Sequence, residues 1–229
     1  MPKKGRTDRF VLAGRDCACY VPETVRRVLL LCGWNMEEQL AALAEEIPDT
    51  LLYFAEADGS RDFTPWPAAP VWEGEAFTGE AEAYLRFLLG EALPYLQETY
   101  GVDAAPGNIG IAGYSLGGLF ALWAACTGRF GTAMSLSGST WYPGFLDYVK
   151  EHRPPESTKF YLSLGDREPY GGPPILRQVG RCTEDLTDFL QAAGYAVQFE
   201  WNRGGHGKGV ETRWRKALRW AAAQERERV

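Results

Sequence analysis

Residues 110–118 read GIAGYSLGG, and the chain then resumes as LFALWAAC. Glycine is unfavourable inside helices and inside strands. Gly113, Gly117 and Gly118 around one hydroxyl, that of Ser115, therefore mark a turn tighter than ordinary residues allow. Before the turn, NIGIAGYS has the apolar run of a buried strand. After it, LGGLFALWAACTG reads as a helix closed by Gly128. Strand, G-x-S-x-G turn and helix, in that order, are the context of a nucleophile elbow, where strained backbone pushes the serine hydroxyl outward. The competing reading, a helix N-cap serine, does not require glycine on both sides.

Outward from this point, strand-like and helix-like segments alternate almost from end to end. CACYV and RRVLLLCG read as strands, and only PETV separates them. A parallel crossover needs a dozen residues or more, so these two are expected to pair as an antiparallel hairpin. MEEQLAALAEEI has Met36, Leu40, Leu43 and Ile47 at helical spacing. TLLYFAEA is a strand, and the proline-bearing stretch from Asp58 to Gly79 is expected to be an irregular loop. EAEAYLRFLLGEALPYLQETYG is helical, with Pro94 expected to kink it or begin a second segment. TAMSLSG, KFYLSLG and YAVQFEWN are further strands; ILRQVGRCTEDLTDFLQAAG and VETRWRKALRWAAAQ are helices. This alternation implies an α/β fold with a mostly parallel central sheet of about eight strands and helices on both faces. No linker interrupts it, so residues 1–229 are expected to form a single domain with no large lid.

Composition narrows the function classes. The 229 residues are 45% hydrophobic, enough for one sizeable core. The net charge of -6, with no basic cluster, argues against nucleic acid as a partner. The start, MPKKGRTDRF, carries no apolar run of a secretory signal, and no stretch is long enough for a membrane span, so a cytoplasmic protein is expected. Cys17, Cys19, Cys32, Cys126 and Cys182 show no zinc-ligand spacing and read as reduced structural thiols.

A serine hydroxyl needs a general base within hydrogen-bond reach. The chain has only two histidines. His152 lies in the polar stretch VKEHRPPES, which reads as exposed surface. His206 lies in NRGGHGKG, directly after the last strand, on a glycine-rich loop at the carboxyl edge of the sheet where open α/β folds bind ligands. His206 is the expected base. The orienting acid should fall between them in the chain order Ser, acid, His. GDREPYGG follows the strand KFYLSLG and offers Asp166 and Glu168. Glu168, three residues past Gly165, has room to turn back toward the histidine; Asp166 suits bracing of the loop. The oxyanion donors are expected to be the backbone N–H groups of Leu116 and of Trp34 in CGWN. Trp34, Phe63, Trp66, Trp72, Phe77, Trp141, Tyr142 and Tyr170 lie on loops around this site, either lining an apolar pocket or covering the sheet edge.

The segments GYSLGG, YLSLGDREP and EWNRGGHGKG, in that order, make the chain resemble an esterase family of the α/β-hydrolases, one that includes siderophore trilactone esterases and S-formylglutathione hydrolases. DFTPWPAAPVW and SLSGSTWYPGF are similar to a bacterial branch of that family. The resemblance implies an α/β-hydrolase fold and a Ser-His-acid site at Ser115, His206 and an acid in the GDRE turn, with a Ser-His dyad left open. The expected activity is hydrolysis of a small-molecule carboxylic ester through an acyl-enzyme, with no cofactor and no metal. Thioesterase, acyltransferase or peptidase chemistry on the same fold is the alternative, followed by a non-catalytic binding protein. A homodimer is compatible with such an enzyme.

Overall fold

The computed structural model describes residues 5–73 and 76–226. The basic start of the chain, residues 1–4, lies outside the described residues, as do residues 74–75 of the proline-bearing loop and residues 227–229. Eight strands form one sheet: β1 (Arg6–Leu12), β2 (Arg15–Val21), β3 (Arg27–Cys32), β4 (Thr50–Ala55), β5 (Ile109–Tyr114), β6 (Thr132–Leu136), β7 (Lys159–Gly165) and β8 (Ala196–Asn202), in the order β1-β2-β4-β3-β5-β6-β7-β8. From β4 to β8 every neighbouring pair is parallel. The helices are α1 (Leu40–Ala44), α2 (Gly59–Asp62), α3 (Ala81–Phe87), α4 (Leu93–Tyr100), α5 (Leu116–Ala125), α6 (Phe145–Glu151), α7 (Val179–Ala192) and α8 (Val210–Arg226).

The continuous apolar run of β3 has a direct cause, because both faces of the sheet are covered. Val28, Leu30 and Cys32 join a core with Leu119 and Phe120 of α5 and Leu186 and Leu190 of α7. Leu29 and Leu31 join the opposite core with Leu40 and Leu43 of α1 and Trp214 and Leu218 of α8. The period of two thus splits one strand between two hydrophobic layers. Met36 and Ile47 are buried with α1, as their spacing predicts. Glu46 fastens this layer: Arg215 donates to its carboxylate at 2.8 Å and Arg219 at 2.5 Å. The bonds from Arg219 and then Arg215 hold the Glu46 carboxyl down to about 2.

Three expectations change. CACYV does not pair with RRVLLLCG; β2 lies between β1 and β4, antiparallel to both, and β4 separates it from β3. The connection from β3 through α1 to β4 is the parallel crossover, and it places β4 on the side where the hairpin was expected. β1 is a strand the apolar pattern did not reveal, because it is a half-exposed edge. The loop from Asp58 contains α2, whose first N–H groups (Ser60 and Arg61) bond to the Asp58 carboxylate. The stretch before His152 is helical as α6, and His152 itself is exposed, as expected. Pro94 acts as expected, in the first turn of α4, and residues Leu88–Ala92 before it wind more widely, as a π-type turn. Among the described residues no helix is long and apolar enough to cross a membrane.

The registers bring the carboxyl ends of the strands to one edge. Cys32 of β3 pairs with Gly113 of β5, and Tyr114 pairs with Leu136 of β6. β3 and β5 are neighbours while β4 lies on the far side of β3, so the strand order reverses between them. Ligand crevices form at such switch points. The start of α5 packs directly over the end of β3: a Cβ on Gly117 would collide with the Cys32 carbonyl, and one on Gly113 with the Gly117 carbonyl. Gly117→Ala is therefore expected to destabilise by about 3 kcal/mol, lowering Tm by roughly 6–12 °C. A melting temperature equal to wild type would contradict this close approach.

Candidate active site

Ser115 joins β5 to α5 with φ 59° and ψ −121°, a conformation a non-glycine residue rarely adopts. The surrounding backbone over-determines it. Its N–H donates to the Leu136 carbonyl at 3.1 Å, and its own carbonyl accepts from Gly118 at 3.0 Å, Leu119 at 3.1 Å and Ser139 at 3.0 Å. The hydroxyl caps none of the helix N–H groups. Instead Ser115 Oγ lies 3.0 Å from His206 Nε2. The N-cap reading is thereby removed.

His206 sits on the loop after β8, half exposed, and its Nδ1 lies 2.7 Å from Glu168 Oε2. An imidazole protonated at Nδ1 satisfies both contacts, donating to the carboxylate and accepting from the serine. His152 is elsewhere: it ends α6, stacks on Tyr148 with ring centroids 4.2 Å apart, and bonds the Tyr148 carbonyl. The two candidate acids also separate. Glu168 is buried in the turn after β7 and faces His206. Asp166 is exposed and accepts from the Gly204 N–H at 2.8 Å, bracing the histidine loop from below.

Glu168 uses its two oxygens differently. Oε2 meets His206, while Oε1 accepts from the Gly165 N–H at 2.7 Å, the Ser137 hydroxyl at 2.8 Å and Arg213 Nη1 at 2.8 Å. Burial alone would push this carboxyl up. The bond from His206, followed by those from Gly165 and Ser137, outweighs burial and holds the carboxyl below its ordinary value. Ser137 and Arg213 were missed in the sequence. Ser137 directly follows β6 with φ 47°, and Arg213 stands one turn into α8; neither has a local pattern that announces it.

These groups open into a cavity of about 470 Å³. Leu116 and Trp34 line it beside Ser115, so both expected oxyanion residues reach the site. Trp34, Trp72, Phe77 and Trp141 supply aromatic walls, with Val71, Leu176 and Val179. The other loop aromatics do not line it. Phe63 is buried against Tyr84 and Phe120. Trp66 and Tyr142 pin the long loop through bonds to Pro143 and Trp66 carbonyls. Tyr170 points to solvent. The cavity has the size and the apolar lining of a small-molecule site.

Known proteins share this architecture. The serine hydrolase of Shewanella oneidensis described as IroE-like superposes with a TM-score of 0.78 over 96% of this chain and 80% of that one, at 18% identity. The siderophore hydrolase EstA of Aspergillus nidulans gives 0.71 over 97% and 95% of the two chains, at 17% identity. The S-formylglutathione hydrolase FrmB of Staphylococcus aureus gives 0.65 over 97% and 98%, at 16% identity. At such identities the likeness speaks to the fold. In sequence, the uncharacterized protein YbbA of Bacillus subtilis (strain 168) is 28% identical over 156 residues, 66% of this chain. The match spans 62% of that protein, less than two thirds of its length. The model of the family described as "Putative esterase" matches residues 32–222, and the chain belongs to that esterase family.

Proposed function

We propose that the protein hydrolyses carboxylic esters of small molecules through an acyl-enzyme on Ser115. One observation carries this reading: His206 bridges Ser115 Oγ at 3.0 Å and Glu168 Oε2 at 2.7 Å. His206 Nε2 takes the serine proton as Oγ attacks the ester carbonyl. The imidazolium that forms is held by the Glu168 carboxylate. Backbone N–H groups of Leu116 and Trp34 receive the developing oxyanion, which needs donors fixed in advance of the reaction. His206 then protonates the departing alcohol. A water deprotonated by His206 attacks the acyl-enzyme, and Ser115 regains its proton as the acid is released. Each step uses protein groups and water.

The aromatic walls favour an ester with an apolar acyl or alcohol portion. Structural neighbours named as siderophore hydrolase and S-formylglutathione hydrolase supply the first two compounds to try, a siderophore for the ester reading and S-formylglutathione, a thioester, for the alternative. The test is product analysis with an ester, a thioester and an amide of one acyl group, with an added alcohol as a competing acceptor. Acid release from the ester, faster than from the other two, is expected. Preferred cleavage of the thioester or amide, or acyl transfer that outruns hydrolysis, would overturn the ester assignment.

A further inference from the structure

Arg213 is a buried cation, 1% exposed, on the first turns of α8. Its guanidinium does more than neutralise Glu168. Nη1 donates to Glu168 Oε1 at 2.8 Å, to Tyr114 Oη at 3.0 Å and to Ser137 Oγ. Nη2 donates to the Gly205 carbonyl at 2.9 Å. Tyr114, the residue before the nucleophile, in turn donates its hydroxyl proton to the His206 carbonyl. The bonds run in one direction. Through Ser137 and directly, Arg213 fixes the acid; through Tyr114 and Gly205, it fixes the backbone on which the histidine stands. The passage is narrow, since a Cβ on Gly165 would lie 2.6 Å from Arg213 Nη2 and 2.8 Å from Glu168 Oε1.

Given the serine-esterase reading, on which this rests, we infer that Arg213 is a positioning residue that locks acid and base into one register. The glycine-rich loop after β8 has little stiffness of its own, with Gly204 at φ 110° and Gly209 at φ 71°. A half-exposed imidazole on such a loop would sample many positions. Beyond the bonds that Asp166 and Arg167 make to Gly204, two attachments to one planar guanidinium restrict that freedom at Gly205 and His206, and three donors on Glu168 Oε1 leave Oε2 turned to His206. The Arg fork suits the place because its two terminal nitrogens serve the carboxylate and the Gly205 carbonyl separately, Nη1 the one and Nη2 the other. Arg213 touches no reacting atom and acts only through Glu168 and His206.

The test is the rate of Ser115 modification by a fluorophosphonate, followed by mass spectrometry on the full chain, with kcat and KM on whichever ester proves active. Wild type is compared with Arg213→Met, Arg213→Lys and Tyr114→Phe. Misplacing a catalytic group by about 1 Å costs on the order of 100-fold, so labelling by folded Arg213→Met is expected to slow by about that factor. Tyr114→Phe removes one attachment and is expected to slow labelling by about 10-fold, as loss of a single hydrogen bond of roughly tenfold worth. KM should hold steady while kcat falls, and Arg213→Lys should recover only part of the rate. A merely structural role would lower the fraction of folded protein without slowing each folded site. Labelling of folded Arg213→Met and Tyr114→Phe at the wild-type rate would overturn the inference. If Arg213→Met does not fold, Tyr114→Phe decides alone. A folded wild type that takes no label would instead overturn the serine-esterase reading itself.

Discussion

Replacing Ser115 with alanine is expected to lower kcat by about 10⁴-fold or more, with the fold retained. Among the described residues the hydroxyl bonds His206 Nε2 and caps no helix N–H, so alanine loses no bond that holds the fold. The strained backbone is held by bonds to the Ser115 N–H and carbonyl, which alanine keeps. What vanishes is the nucleophile. Residual turnover would come from oxyanion donors and binding, acting on water. Ester hydrolysis by purified, folded Ser115→Ala, measured beside its melting curve, checks this. Near-normal turnover would remove Ser115 from the mechanism.

Glu168→Gln should cost nearly as much, about 10³- to 10⁴-fold in kcat, by the logic of a triad acid made neutral. A carboxamide in this place no longer opposes the imidazolium, and it lets His206 carry its proton on the wrong nitrogen. It also strands the buried Arg213 cation, so a lower melting temperature is expected alongside. Asp166→Asn is the matched comparison. Its carbonyl oxygen can still accept from the Gly204 N–H, and turnover should stay within about threefold of wild type, as for surface changes away from a buried network. Steady-state kinetics on the pair distinguishes the acids. If Asp166→Asn is the damaged variant, the assignment is reversed. If neither is damaged, the site works as a dyad.

The pairing of Ser115 with His206 was legible because its residue types are scarce and its surroundings unusual. One serine flanked by glycines at a strand-to-helix turn, and one histidine in a glycine loop after the last strand, left few rivals. The choice between Asp166 and Glu168 was harder. Both stand in one short turn, and what separates them is that Glu168 folds under His206 while Asp166 faces solvent and ties down Gly204. Arg213 was invisible for another reason. It comes from the carboxyl-terminal helix, where an arginine among arginines looks like a solvated face, and only packing of α8 against β6 and β7 turns it inward. The pairing of β2 failed because neighbours in sequence are not neighbours in the sheet once a crossover intervenes. β1 was missed because an edge strand need not be apolar on either face.

The most direct test of an activated serine is fluorophosphonate labelling of wild type, Ser115→Ala and His206→Ala, with the adduct located by peptide mapping. A single adduct on Ser115 is expected, absent from Ser115→Ala and slowed by about 100-fold or more in His206→Ala, the usual worth of a general base. A folded, monodisperse wild type that takes no label, or takes it equally well without His206, would contradict the claim that His206 makes Ser115 a nucleophile.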